Sequence, residues 1–249
     1  MKPMQSKMTR TLLAALLVSA GLTAHAAGML PESTVVLINE ADGEASMVVS
    51  NTDAAPSLLY SKIEAVEEDA NPPVILTPPV ARVDPSKKQT VRFMLTNTEP
   101  LTVERYARVT FDGIPEKKGD GKNTVTLTVR QNLPIVIRPQ SLPEDKEPWK
   151  RLTWSTNGDT VTVTNDSPYV VRMDQSVKLL PGDVEGNVPK SYLVPGGKAA
   201  IKLRVGKDGN AVEHNFKTVQ FTPFTAYGYA AAPYQAELGT TSAMPVAAQ

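Results

Sequence analysis

Cysteine is absent from this chain of 249 residues, and histidine occurs only twice. No disulfide can brace the fold, no thiol can act as a nucleophile, and no zinc site can be assembled from Cys and His. Beyond the first thirty residues no apolar run approaches the roughly 18 that a membrane-spanning helix needs. No stretch carries a basic stripe of the kind nucleic acid selects, since 26 basic residues balance 26 acidic ones. No Gly-x-Ser-x-Gly elbow is present. His214, in the polar run Val212-Glu213-His214-Asn215, is the one imidazole outside the first 26 residues, so a Ser-His-Asp arrangement would rest on it alone.

What is there begins with a targeting segment. Lys2, Lys7 and Arg10 precede an apolar stretch from Leu12 to Leu22, and Ala24-His25-Ala26 supplies small residues around a cleavage point. This is the pattern of a secretory signal peptide, expected to be cut after Ala26. Its loss removes three basic residues and leaves 23 against 26 acidic, a net charge of −3. The exported product, about 220 residues long, has room for two domains of about 100.

Short β-rich runs separated by turn residues fill that product. Val35–Ile38, Ala45–Val49, Leu58–Ile63, Val74–Leu76, Thr90–Leu95, Tyr106–Phe111 and Val125–Ile137 alternate with Asp42-Gly43, Asn71-Pro72-Pro73, Asp84-Pro85 and Asp120-Gly121. Seven strands in about 110 residues is the spacing of a Greek-key sandwich. Pro139 to Pro148 is proline-rich and charged, a semi-rigid linker. Strand-like runs then resume: Leu152–Trp154, Thr160–Thr164, Tyr169–Met173, Val177–Leu180, Lys198–Val205 and Lys217–Phe224. The expected organisation is a signal peptide over 1–26, a first domain over 27–139, a linker over 140–148, a second domain over 149–236, and a disordered tail over 237–249. The fold class is all-β, with two immunoglobulin-like β-sandwich domains.

The run Thr124–Ile137 is unusual in length. At roughly 3.3 Å per residue it would extend about 45 Å, against 17–20 Å for an ordinary strand. Its apolar alternation therefore outlasts the core of one domain. Pro134 lacks an N–H and argues for a sheet edge or a bulge. An apolar edge invites pairing with another chain, so strand addition to a partner is one reading. An ordinary half-buried sandwich strand is the other.

Several stretches, in order, resemble the PapD-like periplasmic pilus chaperones of chaperone–usher pathways. They are Thr77-Pro78-Pro79-Val80-Ala81-Arg82-Val83-Asp84-Pro85 with Gln89-Thr90-Val91-Arg92, then Ile135-Val136-Ile137-Arg138-Pro139, Asn165-Asp166-Ser167-Pro168-Tyr169, and Leu193-Val194-Pro195. The resemblance implies two immunoglobulin-like domains at an angle, a periplasmic location, and a long edge strand lent to an incomplete pilin subunit. On this chain the lent side chains are Val125, Leu127 and Val129. Burying three aliphatic groups at roughly 1.5–3 kcal/mol each, with a new ladder, would keep a subunit folded until an outer-membrane usher receives it.

In that family two basic residues grip the subunit's terminal carboxylate. The aligned positions here are Val35 and Pro134, which cannot, so Arg130 and Arg82 stand as substitute anchors. Arg138 matches the arginine of an interdomain ionic cluster whose acidic partners fall near Asp112 or Gly113 and at Ala226. The loop Asp112–Asn123 resembles the short-loop class and holds no calcium site. No cofactor and no metal are implied. A dimer capped through the same edge strand stays open for the free protein. The alternatives are a structural or adhesive pilus component and, far behind, a hydrolase using a Ser–Lys pair.

Overall fold

The computed structural model describes residues 28–116, 128–157, 160–203 and 216–240. Apart from one 3₁₀ turn over Pro148–Arg151, every regular element among them is a strand. His214, Val125, Leu127 and the tip of the Asp112–Asn123 loop lie outside the described residues.

In the first domain, strict alternation sorts side chains to two faces. Along the run Lys88–Leu95, Val91 and Phe93 are fully buried while Lys88, Thr90 and Arg92 face water. One sheet of four strands runs in the order β1 (Met29–Pro31), β3 (Glu44–Asn51), β7 (Lys88–Leu95), β5 (Val74–Thr77). The facing sheet of five runs β2 (Val36–Asn39), β9 (Arg130–Arg138), β8 (Arg105–Pro115), β4 (Ser57–Glu64), β6 (Val80–Val83). The chain therefore changes sheets between β1 and β2. Met47, Val49, Val91 and Phe93 from one sheet meet Leu59, Phe111, Ile135 and Ile137 from the other in a sealed core.

The second domain contains β10 (Thr153–Asn157), β11 (Thr160–Thr164), β12 (Val171–Leu180), β13 (Val184–Asn187), β14 (Tyr192–Leu193), β15 (Lys198–Leu203), β16 (Thr218–Phe224) and β17 (Tyr234–Thr240). β13 pairs with both β12 and β15, so the sheet closes on itself around Trp154, Met173, Leu179 and Phe221. Closure leaves little edge for another chain to join. The runs expected as Tyr169–Met173 and Val177–Leu180 are one strand, β12, whose register with β16 shifts between Met173 and Val177.

The expected tail is shorter at its start than the sequence suggests. β17 continues through Thr240, pairing with β16 and, in parallel, with β10. Tyr234, Ala236 and Leu238 alternate toward the core, but one of the three is only an alanine, which hides the period.

Asn165 binds the second domain's turns together. Its buried amide nitrogen donates to the carbonyls of Tyr169 (2.7 Å) and Leu193 (3.0 Å), and its oxygen accepts from the Ser167 hydroxyl at 2.6 Å. A buried polar side chain is tolerable when so fully paired.

Candidate functional site

β9 has two different halves. From Ile135 to Arg138 it is an interior strand, parallel to β2 on one side and antiparallel to β8 on the other. From Arg130 to Pro134 it pairs, among the described residues, with β8 alone, because β2 begins opposite Ile135. The open flank of the sheet is thus the first half of β9, and Pro134 sits at its inner limit. Pro134 lies where a missing N–H does least damage to the ladder.

Burial follows the same division. Ile135 and Ile137 are fully buried, Leu133 packs partly against the core, and Val129 just ahead of the strand is 45% exposed. The described strand starts at Arg130, so the long run expected from Thr124 is seen only from Thr128 onward.

The charged residues singled out from sequence are already engaged. Arg130 forms a two-pronged ion pair across the ladder with Asp112, Nε to Oδ1 at 2.7 Å and a terminal nitrogen to Oδ2 at 3.0 Å. Its partner carboxylate is nearly buried while the guanidinium stays in water. Arg82 lies on edge strand β6 and reaches Asp84 at 3.3 Å, both largely exposed. Neither lines the cleft between the domains.

Arg138, which the resemblance assigns to an interdomain cluster, has partners other than those it implied. Glu104, immediately before β8, takes its Nε at 3.3 Å and also accepts the Val170 N–H of the second domain at 2.8 Å. Glu144 of the linker is a second neighbour at 3.7 Å. Asp112 serves Arg130 instead, and the carbonyl of Ala226 accepts from Arg172. Burial pushes the Glu104 carboxyl above its ordinary value, only partly offset by the Val170 N–H and by Arg138.

Around this pair the domains share an apolar seam of Val35, Tyr106, Val136, Val170 and Val194. Tyr106 stacks on Tyr192 across it at 4.3 Å between ring centroids. On the outer side Lys190 bonds Glu67 and Glu68, and the Tyr192 hydroxyl reaches Glu68. Burial raises Glu68, yet the Lys190 hydrogen bond and charge with the Tyr192 hydroxyl bring it below its ordinary value.

The inner side of the junction is a recess of about 200 Å³ lined by Thr34, Tyr106, Arg108, Pro134, Arg172 and Gly228, among others. Arg108 is half-buried and bonds the side chain and carbonyl of Asn132 and the Tyr106 hydroxyl. Arg172, only 9% exposed, donates to the carbonyls of Thr225 and Ala226 at 2.7 and 3.0 Å. Burial lowers its affinity for the proton, and the charge of Arg108 adds to that. Gly228 holds φ +85°, and a Cβ there would stand 2.3 Å from the Thr34 hydroxyl oxygen. Only glycine lets this loop of the second domain close against the first. Sequence reading did not single out Arg108, Arg172 or Glu104.

Two β domains in tandem, the second closed and the first leaving half of β9 paired on one side among the described residues, with a cationic recess between them, define a two-domain all-β protein. Comparison with known proteins gives it a family. The model of the pili and flagellar-assembly chaperone PapD N-terminal domain matches residues 28–143, and that of the pili assembly chaperone PapD C-terminal domain matches residues 147–234. The chain is 40% identical over 232 residues to the uncharacterized fimbrial chaperone YhcA of Escherichia coli K12, covering 93% of this chain and all of that one. It is 28% identical to the chaperone protein FimB/FhaD of Bordetella pertussis, over 90% of this chain and 93% of the other. The Salmonella enterica chaperone SafB, solved in complex with the SafA pilin, shares the fold with a TM-score of 0.69 at 18% identity, covering 86% and 98% of the two chains. This chain belongs to the PapD-like pilus-assembly chaperones, and its role is that of a chaperone in fimbrial biogenesis.

Proposed function

We propose that the protein acts in the periplasm without catalytic chemistry, completing pilin subunits by donating the strand that contains Val125, Leu127 and Val129, then passing them to an outer-membrane usher. The observation that carries this reading is the half-open edge of β9: among the described residues Arg130–Pro134 have a strand neighbour on one side only, and Val129 leads into them exposed. An edge of that kind offers unpaired backbone donors and acceptors, and alternate side chains ahead of it can enter a partner's groove. The second domain's closed sheet is unsuited to the same task, so it serves to frame the recess.

Arg130 supports this edge by pinning the start of β9 to β8 through Asp112. Arg138 holds the domain angle through Glu104. The test is Leu127→Glu, which places a charge in the donated strand. It should abolish co-purification with a pilin while the circular dichroism spectrum stays that of the parent. Undiminished co-purification would remove Leu127 from the donated face.

A further inference from the structure

The open half of β9 carries one polar side chain with no partner among the described residues. Arg130 is paired with Asp112, and Asn132 accepts from Arg108; both belong to the strand's outer face. Gln131 lies on the other face. It is half-buried, and its carboxamide bonds no other described residue. In the run from Val125 to Ile137 every odd position is aliphatic except this one. Leu133, Ile135 and Ile137 on the same face pack into the core, and Phe111, the ladder partner of Gln131, is fully buried. Val129 on the same face looks across to the other sheet, where a Cβ on Gly28 would stand 3.8 Å from its own Cβ. Gln131 therefore sits in the mouth between the two sheets, on the face that an added strand covers.

A carboxamide there offers N–H donors and an acceptor oxygen, all free to bond water while the flank is open. A strand added along Arg130–Pro134 places a side chain about 4.5–5.5 Å from Gln131 on the same face, as a cross-strand pair. Val129 and Leu133 lie about 6.6 Å off along the strand in either direction, and their aliphatic groups help to shut out water. Once covered, the carboxamide must find a protein group or stay with its donors and acceptor unmet. An aliphatic side chain opposite leaves them unmet. A carboxylate satisfies only the donors and itself needs a cation, and Arg130, next in the chain, is held by Asp112 on the outer face. A hydroxyl or a carboxamide can both give and accept, so it answers the whole group.

We propose that Gln131 determines specificity at this edge: it selects pilin subunits that place a neutral hydrogen-bonding side chain, a hydroxyl or a carboxamide, directly opposite it. The proposal rests on the strand-addition reading and adds to it a polar requirement that the aliphatic side chains do not impose. A polar contact within an apolar row discriminates more sharply than one more methyl group would, because the wrong partner leaves buried donors unmet. It also fixes register, since a slip along β9 carries the matching group away from Gln131.

The experiment uses the full exported chain and fluorescein-labelled nonapeptides with Val at odd positions and alternating Lys and Glu at even ones. Five further peptides each replace one Val by Asn. Fluorescence polarisation titrations against the parent chain and Gln131→Leu then form double-mutant cycles. The all-Val peptide should bind Gln131→Leu at least about tenfold more tightly than the parent chain. At one odd position, and at no other, Asn should be tolerated by the parent chain yet weaken binding to Gln131→Leu by at least about tenfold. Gln131→Met, close to glutamine in length but without its hydrogen bonds, should give the same result if Gln131→Leu self-associates. Arg92→Gln on the opposite sheet should leave the parent pattern unchanged. Coupling smaller than this at every position, or of equal size at all five, overturns the assignment. If the parent chain binds none of the peptides up to about 1 mM, the strand-addition reading fails and the selection with it. If Leu127→Glu loses peptide binding while the parent chain shows no coupling at Gln131, the selection alone fails. If Leu127→Glu keeps both the affinity and the coupling, the donated strand alone fails.

Discussion

Replacing Glu104 with alanine should uncouple the two domains. The carboxylate is 5% exposed and makes two contacts, one to Arg138 of its own domain and one across the junction to the Val170 N–H. Removing an acceptor from a buried N–H costs about 1–3 kcal/mol. Leaving a buried cation unpaired costs about 3–5 kcal/mol, but Arg138 keeps Glu144 at 3.7 Å and some solvent, so the lower end applies. The net expectation is about 3 kcal/mol. For a chain of this size each kcal/mol moves the melting temperature by about 2–4 °C, giving a drop of about 6–12 °C. Differential scanning calorimetry at pH 7 is the assay, with the single transition expected of the parent broadening or splitting in the variant. Glu104→Gln should cost less, since a carboxamide oxygen still accepts from Val170. A change below about 2 °C for Glu104→Ala would refute the claim that this contact fixes the junction.

Two further outcomes follow from buried or bridging groups. Glu68 has its folded value lowered below 4.5, so its contribution is complete above pH 4.5 and disappears as pH falls through the folded value. Melting measured from pH 7 down to pH 3 should fall less steeply in Glu68→Gln than in the parent, and identical slopes would remove the Lys190 contact from the stability account. Asn165→Ala strands several carbonyls inside the second domain and should destabilise it by about 2–4 kcal/mol in chemical denaturation; a loss below about 1 kcal/mol would contradict that role.

Most of the architecture was legible because period-two alternation is strong in β3, β4, β7, β8 and β16, where valine, phenylalanine and leucine meet polar neighbours. The elements that escaped are short or lightly marked. β1, β6, β13 and β14 have two to four residues each, too few to show a period. β17 is masked by Ala236.

The site was harder to read, for reasons of topology. Arg130 and Arg82 drew attention by lying close in sequence to the edge strand and to a recognisable stretch. What decides their chemistry is across the ladder or two residues on, at Asp112 and Asp84. Arg108 and Arg172 are 64 positions apart, on strands of different domains, and nothing local marks them as neighbours. Glu104 was likewise hidden, because Arg138 meets it only through the pairing of β8 with β9, and Val170 only when the domains dock. The half-open edge was visible in outline, since the length of the Thr124–Ile137 run and Pro134 both pointed to it. Where the opening stops is set by β2, which sequence could not pair.

The central claim is that residues ahead of and within the open half of β9 become an interior strand of a composite sheet when a pilin binds. Backbone amide exchange, followed by mass spectrometry on the free chain and on its complex with a pilin, tests this directly. The account predicts strong new protection over residues 124–134 in the complex, with Ile135–Arg138 protected in both states by β2 and β8. Protection that appears elsewhere while 124–134 exchange as fast as in the free chain would contradict it.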